Sequence, residues 1–160
     1  MVETQTVLVT GGCGFIGTNL VRLLVGNGKC RVVNLDALTY AANPANLAGI
    51  DHLPNYALER VDIADGKAVD ALFEREKPDL VVHFAAESHV DRSIVSPKDF
   101  LQANIVGTFH LLQAFRTHSG SRPGALFHHV STDEVYGSLG DTGRFTEETR
   151  YDPSSPYSAS

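Results

Sequence analysis

The sequence predicts a doubly wound α/β domain, a parallel sheet with helices on both faces. Three observations predict it. Short β-branched runs alternate with longer helical stretches, the strand-like runs are apolar at nearly every position, and a glycine-rich turn joins the first strand to the first helix. Strands without polar alternation must be covered on both faces, and right-handed crossovers supply that cover.

Thr6–Thr10 (TVLVT) reads as the first strand, followed by the glycine turn and a helix from about Phe15 to Gly26. Arg31–Leu35 (RVVNL) is the second strand, and Asp36–Pro54 is a polar loop, punctuated by Asn and Pro, with at most a short helix. A third strand covers about Tyr56–Val61. Asp65–Glu76 has helical periodicity with an Asp at its start, and Pro78 stops it before a fourth strand at Leu80–Phe84. Pro97 to about Thr117 is a long helix, because Phe100, Leu101, Ile105, Phe109, Leu112 and Phe115 mostly recur at spacings of three and four. A fifth strand, Ala125–Val130, leads into Ser131-Thr132-Asp133-Glu134. Sheets of this kind place ligands beyond the carboxyl ends of their strands, which directs attention to Gly11–Gly17, Asp36, Asp62, Ala85–Ser93 and Ser131–Glu134.

Composition narrows the classes of function. The chain has 160 residues, 42% of them apolar, enough for one domain with its own core. Thirteen basic against nineteen acidic side chains leave a net charge of −6, and no run of Lys or Arg could track a phosphate backbone. Nucleic acid is not an expected partner. No apolar stretch reaches the roughly 18–20 residues that cross a bilayer, and MVETQTVLVTGG lacks the basic region of a secretory signal. The expectation is a cytoplasmic protein without a membrane partner. Cys13 and Cys30 make neither a disulfide framework nor a metal-ligand spacing, so no metal is expected.

Gly11, Gly12, Gly14 and Gly17 in TGGCGFIG satisfy G-x-G-x-x-G between a strand and a helix. Gly11 and Gly12 permit the tight turn, Gly14 lets the backbone approach a pyrophosphate at the helix N-terminus, and Gly17 lets the helix close on the strand. Nineteen residues after Gly17, Asp36 closes the second strand, where a carboxylate accepts from both ribose hydroxyls of NAD and repels a 2′-phosphate. A Rossmann-like domain binding NAD rather than NADP is the expectation. Asp62 either accepts from the adenine amino group or caps the following segment.

Thr132, Asp133 and Glu134 place a hydroxyl and two carboxylates at the end of the fifth strand, beside the expected nicotinamide. The two acids can serve as one acid and one base, or stand in a solvated loop with a cap residue. Tyr157 opens a further helix after Asp152-Pro153-Ser154-Ser155-Pro156. It is either a packing residue or a base, and a phenol needs a nearby cation to act as a base near neutrality.

TGGCGFIG, DALTYAANPANL, FAAESHVDRSI, NIVGT, STDEVYG and PSSPYSAS occur in this order and spacing. Through them the chain resembles the nucleotide-sugar 4,6-dehydratases of the extended short-chain dehydrogenase/reductase superfamily. Sugar 4-epimerases of that superfamily usually carry a Ser-rich loop where this sequence has Thr132-Asp133-Glu134. The resemblance implies a lyase using tightly bound NAD, with dTDP-glucose as the first candidate substrate and a UDP-sugar dehydratase or a 4-epimerase as alternatives. It implies that Tyr157 takes the O4 proton with Thr132 bonded to O4, that Glu134 removes the C5 proton, and that Asp133 protonates the departing C6 hydroxyl. NAD is expected against Gly11, Gly14, Phe15, Ile16, Gly17, Asp36, Asp62, Ile63, Ala85, Ala86, Ser88 and Tyr157. The sugar is expected near Ser88, His89, Asn104 and Thr132. His89 has a rival reading as an ordinary loop histidine, and Asp91–Arg92 as a structural ion pair.

Three positions depart from the family pattern: Ala37 where Lys is frequent, Ala103 where Thr is common, and Cys13 for a usual Ala. The family's Tyr-x-x-x-Lys would place its Lys just after Ser160. On that ground residues 1–160 are expected to be an NAD-binding domain incomplete at its C-terminus, without the final strands and substrate domain, and inactive alone. The resemblance also implies a homodimer through the Pro97–Thr117 and Tyr157 helices. The apolar stripe on the first of these helices is equally explained by packing within one chain.

Overall fold

The computed structural model describes residues 4–160; Met1–Glu3, part of the opening segment read above for a signal, lie outside them. Five strands, β1 (Thr6–Thr10), β2 (Arg31–Leu35), β3 (Tyr56–Glu59), β4 (Leu80–His83) and β5 (Leu126–His129), form one parallel sheet in the order β3-β2-β1-β4-β5. Between and after them lie helices α1 (Phe15–Asn27), α2 (Gly66–Glu76), α3 (Val90–Val95), α4 (Pro97–Phe100), α5 (Thr108–His118) and α6 (Pro156–Ala159).

Alternation within β1 explains why its run is apolar throughout. Successive side chains of a strand point to opposite faces. Leu8 packs with Val33, Leu35 and Val81 against Val69, Leu72 and Phe73 of α2 and Leu111 of α5. Val7 and Val9 pack on the other face with Val32 and Val82 against Val21 and Val25 of α1 and Leu47 of the 3₁₀ turn Pro44–Leu47. Burying one such side chain contributes about 1.5–3 kcal/mol, and the three central strands do so on both faces.

The edge strands differ from the sequence expectation of full burial. β3 is half-buried and ends at Glu59, short of Val61; the Asp62 carboxylate then accepts from Ala64 N–H in a local turn (2.9 Å). β5 has a neighbour on one side only, and Leu126 is 56% exposed.

Helix ends follow capping chemistry. Gly28 takes a left-handed conformation (φ 64°) after α1, and the Asp65 carboxylate accepts from Lys67 and Ala68 N–H ahead of α2. The long helix expected over Pro97–Thr117 is helical along its length, but in three pieces: α4, a π-helical stretch at Leu101–Gly107, and α5. The loop expected at Ala85–Ser93 contains the start of α3, whose Ser93 hydroxyl donates to Val90 O (2.6 Å). No helix among the described residues is long and apolar enough to cross a membrane.

Candidate functional site

Strand order sets the place of the site. The chain winds from β1 outward through β2 and β3, then returns to the other side of β1 for β4 and β5. A crevice opens at such a reversal, at the carboxyl ends of the strands. Here it is a cleft of about 1060 Å³.

The glycine turn forms one wall. Gly11 (φ 69°) donates its N–H to Leu35 O (2.9 Å), and Gly14 N–H bonds back to Gly11 O (3.1 Å). A Cβ on Gly17 would lie 2.3 Å from Gly11 O, so α1 can approach the turn only with glycine there. Gly14 is the N-cap of α1 and offers no side chain, leaving the first N–H groups of the helix for an anionic ligand. Gly11, Gly14, Phe15, Ile16 and Gly17 all line the cleft, with Phe15 and Ile16 exposed.

Asp36 lines the cleft and is only 7% exposed. Its Oδ2 accepts from Cys13 N–H (2.9 Å) and its Oδ1 from Leu38 N–H (2.8 Å), which holds Leu38 at a positive φ of 56°. Asp62 and Ile63 complete this end; Ile63 packs so closely on Gly107 that a Cβ there would meet it at 2.5 Å.

The opposite end is built on the loop after β4. Ala85 N–H donates to Thr10 Oγ1 (3.1 Å). Glu87 is clamped by Asn104, whose Oδ1 accepts from Glu87 N–H (2.9 Å) while Nδ2 donates to Glu87 O (3.0 Å) and Ser160 Oγ (2.9 Å). Asn104 lines the cleft, and its side-chain amide is bonded to the loop. Ala85, Ala86 and Ser88 line the cleft. His89 is exposed at the start of α3 and lies outside the lining.

Thr132 and Tyr157 line the same cleft. Tyr157 meets Phe100 edge-on, with ring centroids 6.3 Å apart, and sits on α6, whose start is fixed by a Ser155–Ser158 capping box. Thr132 Oγ1 accepts from Glu134 N–H (3.2 Å) and caps the 3₁₀ turn Asp133–Tyr136. That turn leaves Asp133 and Glu134 exposed and outside the lining, so the two acids stand at the rim and not between the walls.

Sequence reasoning missed His83. It is buried at the end of β4, with Nδ1 2.7 Å from Thr10 Oγ1 and Nε2 2.9 Å from Thr108 Oγ1. Burial, then the nearby His129, pushes its pKa down to about 4, so the ring is neutral. Thr10 Oγ1 also accepts from Ala85 N–H, so His83 connects the anchor of this loop to Thr108. The available signal was a lone His ending an apolar strand at the cleft side.

Sheet order, turn and buried acid define a Rossmann-like α/β domain. A family model described as GDP-mannose 4,6 dehydratase matches residues 8–160, and the chain belongs to that family. It is 53% identical over 162 residues to the dTDP-glucose 4,6-dehydratase of Neisseria gonorrhoeae, covering 98% of this chain and 47% of the relative. Over 168 residues it is 49% identical to an Escherichia coli protein of the same name, covering 96% and 46%. The chain thus spans about half the length of the curated relatives it matches. Among solved structures, the Streptomyces venezuelae dTDP-glucose 4,6-dehydratase with NAD and TYD bound superposes with a TM-score of 0.86 at 42% identity, covering 97% of this chain and 48% of the other. The Campylobacter jejuni UDP-Glc/GlcNAc 4-epimerase gives 0.86 at 28% identity, covering 97% and 45%.

Proposed function

We propose that the chain contributes the NAD site and the acid–base residues of a dTDP-glucose 4,6-dehydratase. The observation that carries this reading is the continuity of one cleft from the glycine turn and buried Asp36 to Thr132 and Tyr157. NAD fits the residues present. A ribose diol can donate to Asp36, a pyrophosphate meets the uncapped start of α1 over Gly14, and a nicotinamide reaches the Ala85–Ser88 side of the cleft. When bound, NAD accepts a hydride from the sugar C4 and returns one to C6.

The chain's own residues handle the protons. Thr132 orients the sugar through O4, and Tyr157 takes the O4 proton. A ketone at C4 then acidifies C5–H, which Glu134 removes while Asp133 protonates the departing C6 hydroxyl as water, and Glu134 gives its proton back to C5 when C6 receives the hydride. Support for the two acids is their position directly after Thr132 at the rim of the cleft. The Ser88 hydroxyl supplies a further sugar contact from the facing loop.

Calorimetry of the chain with NAD tests the cofactor site, and absence of saturable binding overturns it. The substrate is tested with dTDP-glucose and UDP-glucose on a version extended to the relatives' length. A 4-keto-6-deoxy product from dTDP-glucose supports the proposal, whereas product from the UDP-sugar alone, or epimerisation without loss of water, favours the alternatives. The 160-residue chain is expected to bind NAD without turning over either sugar.

Leu101, Ile105, Phe109 and Leu112 are each roughly half exposed along one helical rod, and this supports a homodimer formed through that face. Light scattering that shows only monomer in the extended protein rejects it. This NAD-dependent reading goes with a cytoplasmic location.

A further inference from the structure

We propose that Tyr40, Glu87 and Arg92 form a strap across the crevice that sets how fast a dinucleotide enters and leaves, an inference that rests on the cofactor reading above. The sheet order fixes what such a strap must cross. β1 lies between β2 and β4, so the loops that follow β2 and β4 flank the glycine turn that follows β1. Thr39, Ala41 and Ala42 of the first loop and Ala86 and Ser88 of the second line the same cleft.

Tyr40 joins the two loops. Its hydroxyl donates to Glu87 Oε2 at 3.0 Å, and the Arg92 guanidinium carbon lies 4.0 Å from the centre of the Tyr40 ring. Hydrogen bond and cation–π contact together hold one aromatic side chain against the far loop. The turn where the pyrophosphate is expected lies between these two loops, and of the three residues Glu87 lines the cleft.

The anchoring of the loops locates the movable part. On the first loop, Leu38 N–H is fixed to Asp36 and Asn43 N–H to Cys13 O (2.9 Å). On the second, Ala85 is fixed to Thr10 and Glu87 to Asn104. Tyr40 itself is 61% exposed, and its bond to Glu87 competes with water. Opening therefore needs rotation of side chains between firm anchors and no refolding of either loop. A gate of this type slows binding and release alike and leaves the equilibrium almost unchanged.

That kinetic pattern separates a strap from an ordinary contact or a structural brace. Tyr40→Phe and Arg92→Gln are compared with the parent chain by stopped flow, with NADH fluorescence as the probe. Both variants are expected to raise the association and dissociation rates together by about 3- to 10-fold, with the dissociation constant within about twofold and the melting temperature unchanged. Unchanged rates overturn the strap, as does a faster release with unchanged association, which marks a simple ligand contact. If Tyr40→Phe lowers the melting temperature, Arg92→Gln decides, because Arg92 lies outside the anchored stretches. Failure of the parent chain to bind either NADH or NAD removes the cofactor reading and the strap with it, whereas binding with unaltered variant rates removes the strap alone.

Discussion

The backbone N–H of Cys13 donates to Asp36 Oδ2 at 2.9 Å, tying the carboxylate that ends β2 into the turn that ends β1. With Leu38 N–H on the other oxygen, two backbone donors satisfy a charge that is almost fully buried. A carboxylate has about four acceptor positions, so room remains for a diol. Asp36 thus stabilises the turn and presents its carboxylate to the cleft. Burial, then the Asp36 charge, pushes the Cys13 thiol above its ordinary range.

Asp36→Ala leaves the Cys13 and Leu38 N–H groups without acceptors. Stability is expected to fall by about 2–4 kcal/mol, and NAD affinity by at least about tenfold. Asp36→Asn keeps an acceptor and recovers part of the stability but not the discrimination against a 2′-phosphate. Urea unfolding and calorimetry with NAD and NADP read these effects. Parent-like NAD affinity in Asp36→Ala would remove Asp36 from the site.

The turn and Asp36 were legible because backbone geometry dictates residue type and spacing there. Only glycine allows α1 to touch Gly11 O, and only the end of β2 brings a carboxylate to the turn. Asn104 was not legible, since its partners are the backbone groups of Glu87, and no side-chain pattern records them. The π-helical stretch was hidden for a related reason. Spacings of three and four describe a continuous apolar stripe whether or not one turn is widened. α3 escaped notice because Glu87–Ser93 has no apolar periodicity. For Asp133 and Glu134 the sequence carried the residue types but not their direction, which the Thr132 cap decides.

A methyl group at position 17 tests the closest backbone approach in the turn. In Gly17→Ala the new carbon meets Gly11 O at 2.3 Å and Gly12 Cα at 2.8 Å, both main chain and unable to rotate away. Either α1 shifts off β1 or the turn opens. Overpacking of this kind destabilises by about 1–3 kcal/mol, and NAD binding is expected to be lost. Thermal melting and calorimetry check both; a variant that binds NAD as the parent does would show that the turn can yield.

Asn104 holds the loop after β4 from a helix rather than from the sheet. Asn104→Ala strands the Glu87 N–H and C=O, and stability is expected to drop by about 1–3 kcal/mol. The loss should be local in dynamics: amide exchange in residues 85–88 accelerates while β1 and β2 stay protected. Asn104→Asp retains the acceptor for Glu87 N–H and restores part of the effect. Uniform acceleration across the sheet would contradict a clamp limited to this loop.

His83 makes stability depend on acid in a definite window. In the folded chain its pKa is about 4, against 6.5 for an ordinary histidine, because burial and then His129 oppose the charge. Above about pH 6.5 the ring is neutral in both states and adds no pH dependence. As the pH falls from there, the unfolded chain takes up a proton that the folded chain refuses, so stability declines until about pH 4 and then levels. The full decline is on the order of 3 kcal/mol. A neutral ring has one acceptor nitrogen, and protonation would remove it, disturbing the hydrogen bond to Thr10 or to Thr108. His83→Gln can keep both hydrogen bonds without a titrating ring, and urea midpoints between about pH 7 and about pH 4.5 are expected to fall less in this variant than in the parent. An equal decline in both proteins would place the acid sensitivity on other groups.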